Sequence, residues 1–238
     1  MALSNKNCEA AMKTKFDLDA FLNQPFFGLD SLMMLGDVED FIVFSESNIR
    51  SQKHHERRRT EQECIDVGFD DPHDEAAYRS QRLEGVEFRF EASLTQRVRY
   101  AALTGLITTI EWVLLALKKR ASFCFPKKPE KMNEAVHILT VFNDKVKLSL
   151  EPKAQFLEHL IFTRNCVVHA AGLLDSYEHG AELRDIIAVM SGLKISNLNF
   201  LGDGIEIEPG FLEGVIEDVS IWLPALERAV SEQGLLCK

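Results

Sequence analysis

The stretch Arg164-Asn165-Cys166-Val167-Val168-His169 holds an arginine, an amide directly after it, and a histidine later in the same run. That set can cut RNA. RNA carries its own nucleophile, the 2′-hydroxyl beside each phosphodiester. A protein then has only to move a proton, which histidine does near neutral pH, and to neutralise charge on the phosphoryl oxygens, which suits a guanidinium fork. In this chemistry His169 is base to the 2′-hydroxyl or acid to the 5′-oxygen. Arg164 stabilises the phosphorane-like transition state, and Asn165 orients His169 or a phosphate oxygen. The scheme calls for no metal and no cofactor.

The surrounding residues are apolar in a helical pattern, and helical geometry constrains how the three side chains cooperate. At about 100° per residue, Asn165 and His169 share one face, whereas Arg164 and His169 diverge by about 140°. Arg164 must therefore reach round the helix, or act on a group presented by another helix or subunit. A plainer role for Arg164 is to pair with a carboxylate. Glu111 is the candidate, because it lies beside the core-facing stripe of another predicted helix, next to Ile110.

The flanks extend the pattern. Phe156-Leu157-Glu158-His159-Leu160-Ile161-Phe162-Thr163 leads into the arginine, and Ala170-Ala171-Gly172-Leu173 follows the histidine. Over roughly residues 90 to 238 the chain resembles the HEPN superfamily of small all-helical domains, whose mark is Arg, four to six residues, then His, with a polar residue after the Arg. The resemblance implies a metal-independent endoribonuclease of toxin or defence type, with its site formed across a homodimer. It also raises the prospect of an antitoxin or regulatory protein as partner. In one branch the histidine is followed two residues on by a tyrosine that a nucleotidyltransferase antitoxin modifies. Here that position is Ala171, so that route of control is not expected.

Composition sets limits on the function classes. The chain has 238 residues, 46% hydrophobic and 27% charged, with a net charge of -10. Such a balance suits a globular protein and argues against one that coats nucleic acid by charge alone. The acidity is concentrated late: from Ala170 to Lys238 there are twelve acidic residues against four basic. Basic residues cluster instead at Arg50, Lys53 and Arg57 to Arg59, and again at Lys118, Lys119, Arg120, Lys127, Lys128 and Lys131. The second cluster, with Lys118, Lys119, Arg120, Lys127 and Lys128 foremost, is the candidate for holding an RNA backbone. Five scattered cysteines without a Cys-x-x-Cys pair suggest neither a disulfide framework nor a zinc site. The apolar run from Trp112 to Leu117 ends in Lys118-Lys119-Arg120, short of a membrane span, and Met1 to Lys15 lacks a signal-peptide core. A cytoplasmic protein is expected.

The predicted elements are nearly all helices. Asp17 can cap a short helix that stops before Pro25, and Asp30 to Val67 reads as one or two helices. Gly68-Phe69-Asp70-Asp71-Pro72-His73-Asp74 is the clearest break. It divides a helical extension, residues 1–74, from a HEPN-like domain, residues 75–238. Glu75 to Arg120 reads as a long helix kinked near Gly85 or Gly105, with Leu103, Leu106, Ile107, Ile110, Val113, Leu114 and Leu117 facing the core. A helix over Glu130 to Lys147 follows, then the motif helix from Pro152 to about Tyr177, with Leu157, Leu160, Ile161 and Val168 facing the core. Ala181 to Ser191 is a shorter helix. A hairpin turns at Gly202-Asp203-Gly204, and an amphipathic helix over Phe211 to Val230 closes the chain. The fold class is thus all-α, a helical bundle with a small hairpin before its last helix. Beside the nuclease stand two other readings: a non-catalytic HEPN-like module that dimerises and binds a nucleotide, RNA or a partner protein, and a structural domain in which Arg164 merely pairs with Glu111.

Overall fold

A computed structural model describes residues 27–197 and 202–237, so the short helix expected at Asp17 lies outside the described residues. The chain is mostly helical, with one two-stranded antiparallel hairpin before the last helix. The helices are α1 (Phe27–Val67), α2 (Pro72–Glu87), α3 (Thr95–Lys119), α4 (Glu134–Val146), α5 (Glu151–Ala170), α6 (Gly180–Val189) and α7 (Phe211–Glu232). The strands β1 (Leu193–Asn197) and β2 (Asp203–Ile207) pair with Leu193 opposite Ile207 and Ile195 opposite Ile205.

The break at Gly68 to Asp74 turns α1 back on itself as α2. Asp71 caps α2 by accepting from the His73 amide at 2.8 Å, with Pro72 in the first turn where its missing N–H costs nothing. Leu35 and Ile42 of α1 lie in one continuous core with α3, α4, α5 and α7. The polar half of α1 is held by ion pairs with acidic neighbours. Arg59 meets Glu63 at 2.9 Å, Arg82 of α2 meets Glu63 at 3.1 Å, and Lys53 bridges Glu87 and Glu91.

The long helix stays α-helical through Gly85 and Gly105 themselves. Its irregularity is a π-helical stretch, Phe88–Leu94, between α2 and α3. One residue is gained within the helical path there, which turns Phe90 inward and leaves Phe88 exposed. Beyond it α3 is the central helix, and Leu103, Leu106, Ile107, Ile110, Leu114 and Leu117 are sealed from solvent. By composition and length the span Pro72–Lys119 could cross a membrane, but half of its most apolar stretch is buried inside the bundle. The next helix starts later than expected, at Glu134, because Asn133 caps it by accepting from the Ala135 amide at 2.7 Å.

The motif helix α5 is shorter than its apolar pattern predicts, ending at Ala170 rather than near Tyr177. Ala171 and Gly172 both take left-handed backbone conformations, φ 53° and 82°. Two such residues in succession cannot continue a right-handed helix. Gly172 is also required by space, since a Cβ there would lie 2.4 Å from the Tyr100 hydroxyl. The chain beyond it joins the hairpin: the Ile205 amide donates to the Gly172 carbonyl at 2.9 Å. Side chains of α3 close the outer edge of β2. Gln96 both donates to and accepts from Ile207, at 3.1 and 3.0 Å, Arg99 donates to the Ile207 carbonyl at 2.7 Å, and the Tyr100 hydroxyl donates to the Ile205 carbonyl. A strand edge that would otherwise be open is thereby paired.

One carboxyl is out of place in this core. Glu227 of α7 is 4% exposed, one of its oxygens has no hydrogen-bond partner among the described residues, and the other accepts from Ser31 of α1 at 3.4 Å. Burial, opposed in part by the Ser31 hydrogen bond, pushes its pKa up to about 7 from the ordinary 4.5. The folded state thus holds a proton that the unfolded chain releases, so stability is full below pH 4.5 and is lost as pH rises towards about 7. Glu227→Gln should melt with the native protein at pH 4.5 and several degrees above it at pH 8, in parallel thermal melts.

Candidate functional site

The motif lies in the seam between α3 and α5. These helices are antiparallel there, since Glu111 meets Arg164 while Tyr100, earlier in α3, packs beneath Gly172 beyond the end of α5. Arg164 projects from α5 toward α3, and its Nη2 donates to Glu111 Oε1 at 2.8 Å. The two side chains keep 18% and 24% of their surface exposed, so the pair stands at the mouth of the seam. The guanidinium is not fully satisfied, because Arg164 Nε is buried without a hydrogen-bond partner among the described residues.

Asn165 and His169 occupy the outer side of α5. Asn165 is half-buried, His169 is exposed in the last turn, and neither takes part in a hydrogen bond or ion pair among the described residues. Side chains spaced by one helical turn are within reach of each other, so contact between them needs only a rotamer change. The structure therefore brings Arg164 and Glu111 together and leaves His169 one and a half turns along, about 7 Å in helical rise, facing outward. The exposed imidazole of His169 is open to a substrate, whereas the unpaired Arg164 Nε–H is sealed within the seam.

The residues around this pair differ from the expected pattern. Val168 was expected in the core stripe but is 53% exposed, because α5 ends two residues later and the chain turns toward the hairpin. Cys166 is fully buried, with its thiol directed at the Leu173 carbonyl at 3.8 Å, and burial raises its pKa to about 11. Phe162 meets His179 edge-on, and Val167 packs against the core. Exposed apolar residues near the pair in sequence are Trp112 beside Glu111, Leu115 one turn further along α3, and Val168 one turn beyond Arg164, at 51%, 40% and 53% exposure.

The expected basic strip is divided by its contacts. Lys118 is bound to Glu134, and Lys128 donates to the Met132 carbonyl at 2.7 Å. Lys119 and Lys127 are exposed, and Arg120 is half-buried at the end of α3. A groove of about 740 Å³ opens elsewhere, between Pro152, Phe156 and His159 of α5 and Gly210 and Phe211 at the start of α7. It does not include Arg164, Asn165 or His169. Among the described residues no three His, Cys, Asp or Glu side chains gather as metal ligands would.

Sequence reasoning did not anticipate the group of residues that fix the end of the motif helix: Gln96, Arg99, Tyr100 and Gly172. Gly172 is the one recognisable signal, a glycine within the apolar run near the end of the motif helix. Glu111 was legible from its place beside the stripe. Removing its carboxylate should destabilise the fold, because Arg164 would keep its charge in a largely desolvated seam. Glu111→Ala should cost about 2 kcal/mol, less than a fully buried pair because both groups touch water, with Glu111→Gln intermediate in urea denaturation. Equal stability of all three proteins would show that the pair contributes nothing to folding.

No family model, characterised protein or solved structure matches this chain in sequence or fold comparison.

Proposed function

We propose that this chain is a HEPN-like endoribonuclease of toxin or defence type that cleaves RNA through the 2′-hydroxyl, with its site completed by a second copy of the chain. The observation that carries the reading is the placement of Arg164: a guanidinium at the mouth of a seam, 18% exposed and anchored through Nη2 by Glu111, on the same helix as the exposed His169. A guanidinium anchored through one nitrogen at a partly exposed mouth can turn its outer N–H groups to a phosphate oxygen. His169 supplies the free imidazole on the same helix. Each chain offers one Arg164 and one outward His169, separated around the helix, so two copies in symmetric contact would bring two such sets to one cleft. Trp112, Leu115 and Val168, exposed on the two helices that carry the pair, offer apolar surface for such a contact.

A second reading draws on the same pair. Glu111 places a carboxylate at 2.8 Å from the guanidinium, where it competes with a phosphate for the fork. That arrangement favours a non-catalytic module that dimerises and binds a nucleotide or RNA weakly. Substrate chemistry separates the two. Placing a single 2′-deoxy or 2′-methoxy group at the cleaved nucleotide should stop the reaction there while binding persists. Cleavage at the blocked position would overturn the mechanism, and binding without cleavage of any RNA would leave the module.

A further inference from the structure

We propose that the basic end of the bundle binds the phosphate backbone of single-stranded RNA and leads it to the Arg164 seam. This surface is formed where α3 runs out at Lys118 and Lys119 and residues 121–133 fold back along α4. The proposal rests on the ribonuclease reading above and adds the surface that would hold the substrate.

Charge distribution is the first argument. Between residues 118 and 147 the chain has eight Lys and Arg against three Asp and Glu, although the whole chain has a net charge of -10. A local excess of cations on an acidic molecule attracts a polyanion to that place and repels it from the rest. The other basic cluster is more nearly neutralised: Lys53 is taken by Glu87 and Glu91, Arg57 by Glu61 and Glu87, and Arg59 by Glu56 and Glu63, leaving Arg50 and Arg58 without an ion pair among the described residues. At the end of α3, by contrast, Lys119, Lys127 and Lys131 are exposed and have no ion pair among the described residues.

Rigidity is the second. Phe123 and Phe125 stack at 5.0 Å and both pack edge-on against the buried Phe142, which fixes the returning loop to the core. Lys145 lies over Phe123 at 4.1 Å and Lys118 over Phe125 at 5.4 Å. Lys145, which has no ion pair among the described residues, thus presents its ammonium at a set position, so less side-chain entropy is lost when a phosphate binds, while Lys118 is already paired with Glu134.

Position is the third. Thr104, Thr108, Glu111, Leu115 and Lys119 recur at helical spacing along α3 and are exposed or half-buried, so one continuous face runs from the motif to the basic end. Glu111 and Lys119 are separated by about 12 Å of helix rise, equivalent to roughly three or four stacked nucleotides. A strand cut at the seam would thus lie over the lysines within a few phosphates of the scissile one.

The test measures binding apart from cleavage. Fluorescence anisotropy of a labelled single-stranded RNA of about 12 nucleotides would be recorded on His169→Ala protein, with and without Lys119→Glu, Lys127→Glu and Lys131→Glu together. Exposed lysines without partners can be reversed without loss of fold, which circular dichroism would check. The triple variant should bind about tenfold or more weakly, and the slope of log Kd against log salt should fall by about 2. In an otherwise native protein it should slow cleavage of the long RNA and spare a dinucleotide. Unchanged affinity and slope would overturn the proposal. So would phosphatidylserine vesicles that bind native protein more tightly than RNA and lose that binding in the triple variant. A native protein that never cuts RNA, yet loses affinity in the variant, would uphold this surface and sink only the nuclease.

Discussion

Replacing His169 with alanine should lower RNA cleavage by about 10² or more, in chelator, without changing the melting temperature. The imidazole is exposed and makes no hydrogen bond or ion pair among the described residues, so its removal costs the fold little. In the proposed mechanism it is the group that takes the 2′-hydroxyl proton or supplies one to the 5′-oxygen. Arg164→Ala should lose activity to a similar degree but also lose stability, since it strands Glu111 in the seam. Arg164→Lys separates the two effects. Lysine can keep the charge near Glu111 but has no planar fork and no Nε–H, so stability should largely remain while cleavage falls. Full activity in both His169→Ala and Arg164→Ala would remove the mechanism.

A single charge placed at Val168 should separate the chains and abolish cleavage together. Val168 is outward, 53% exposed, and one helical turn from Arg164. A buried Glu at the centre of a two-fold contact meets its own copy, and like charges brought together in a desolvated patch cost several kcal/mol. Val168→Glu should therefore be monomeric in sedimentation at micromolar concentration, with activity reduced in proportion to the dimer lost. As a surface position the substitution should leave the monomer folded. A native protein that is monomeric and still cuts RNA would eliminate the composite site.

The sequence carried the helical class, the stripe of α3 and the hairpin before α7 clearly, because each rests on a long periodic pattern or a strong turn signal. Leu103 to Leu117 repeat at the helical spacing; the hairpin was legible but its turn was misplaced, since Asp203 and Gly204, expected in the turn, open β2 and pair with Asn197 and Ser196. What it did not carry came from tertiary contacts. The apolar pattern of the motif helix continues through Leu173 and Leu174, so nothing in periodicity announces the stop at Ala171. That stop follows from the hairpin pairing with Gly172 and from Tyr100 filling the space where a side chain would stand. The π-helical stretch at Phe88 to Leu94 has no glycine or proline to mark it. At the site, Arg164 and Glu111 were legible as a pair because each lies beside an apolar stripe. The outward turn of Val168 was not, since it depends on where α5 ends.

The proposed chemistry leaves a signature on the product. An end-labelled RNA incubated with the native protein in excess chelator should give fragments ending in a 2′,3′-cyclic phosphate and beginning with a 5′-hydroxyl, read by mass spectrometry. That pair of ends arises only when the substrate's own hydroxyl is the nucleophile. Fragments carrying a 5′-phosphate and a free 3′-hydroxyl, or no cleavage until a divalent cation is restored, would contradict the account.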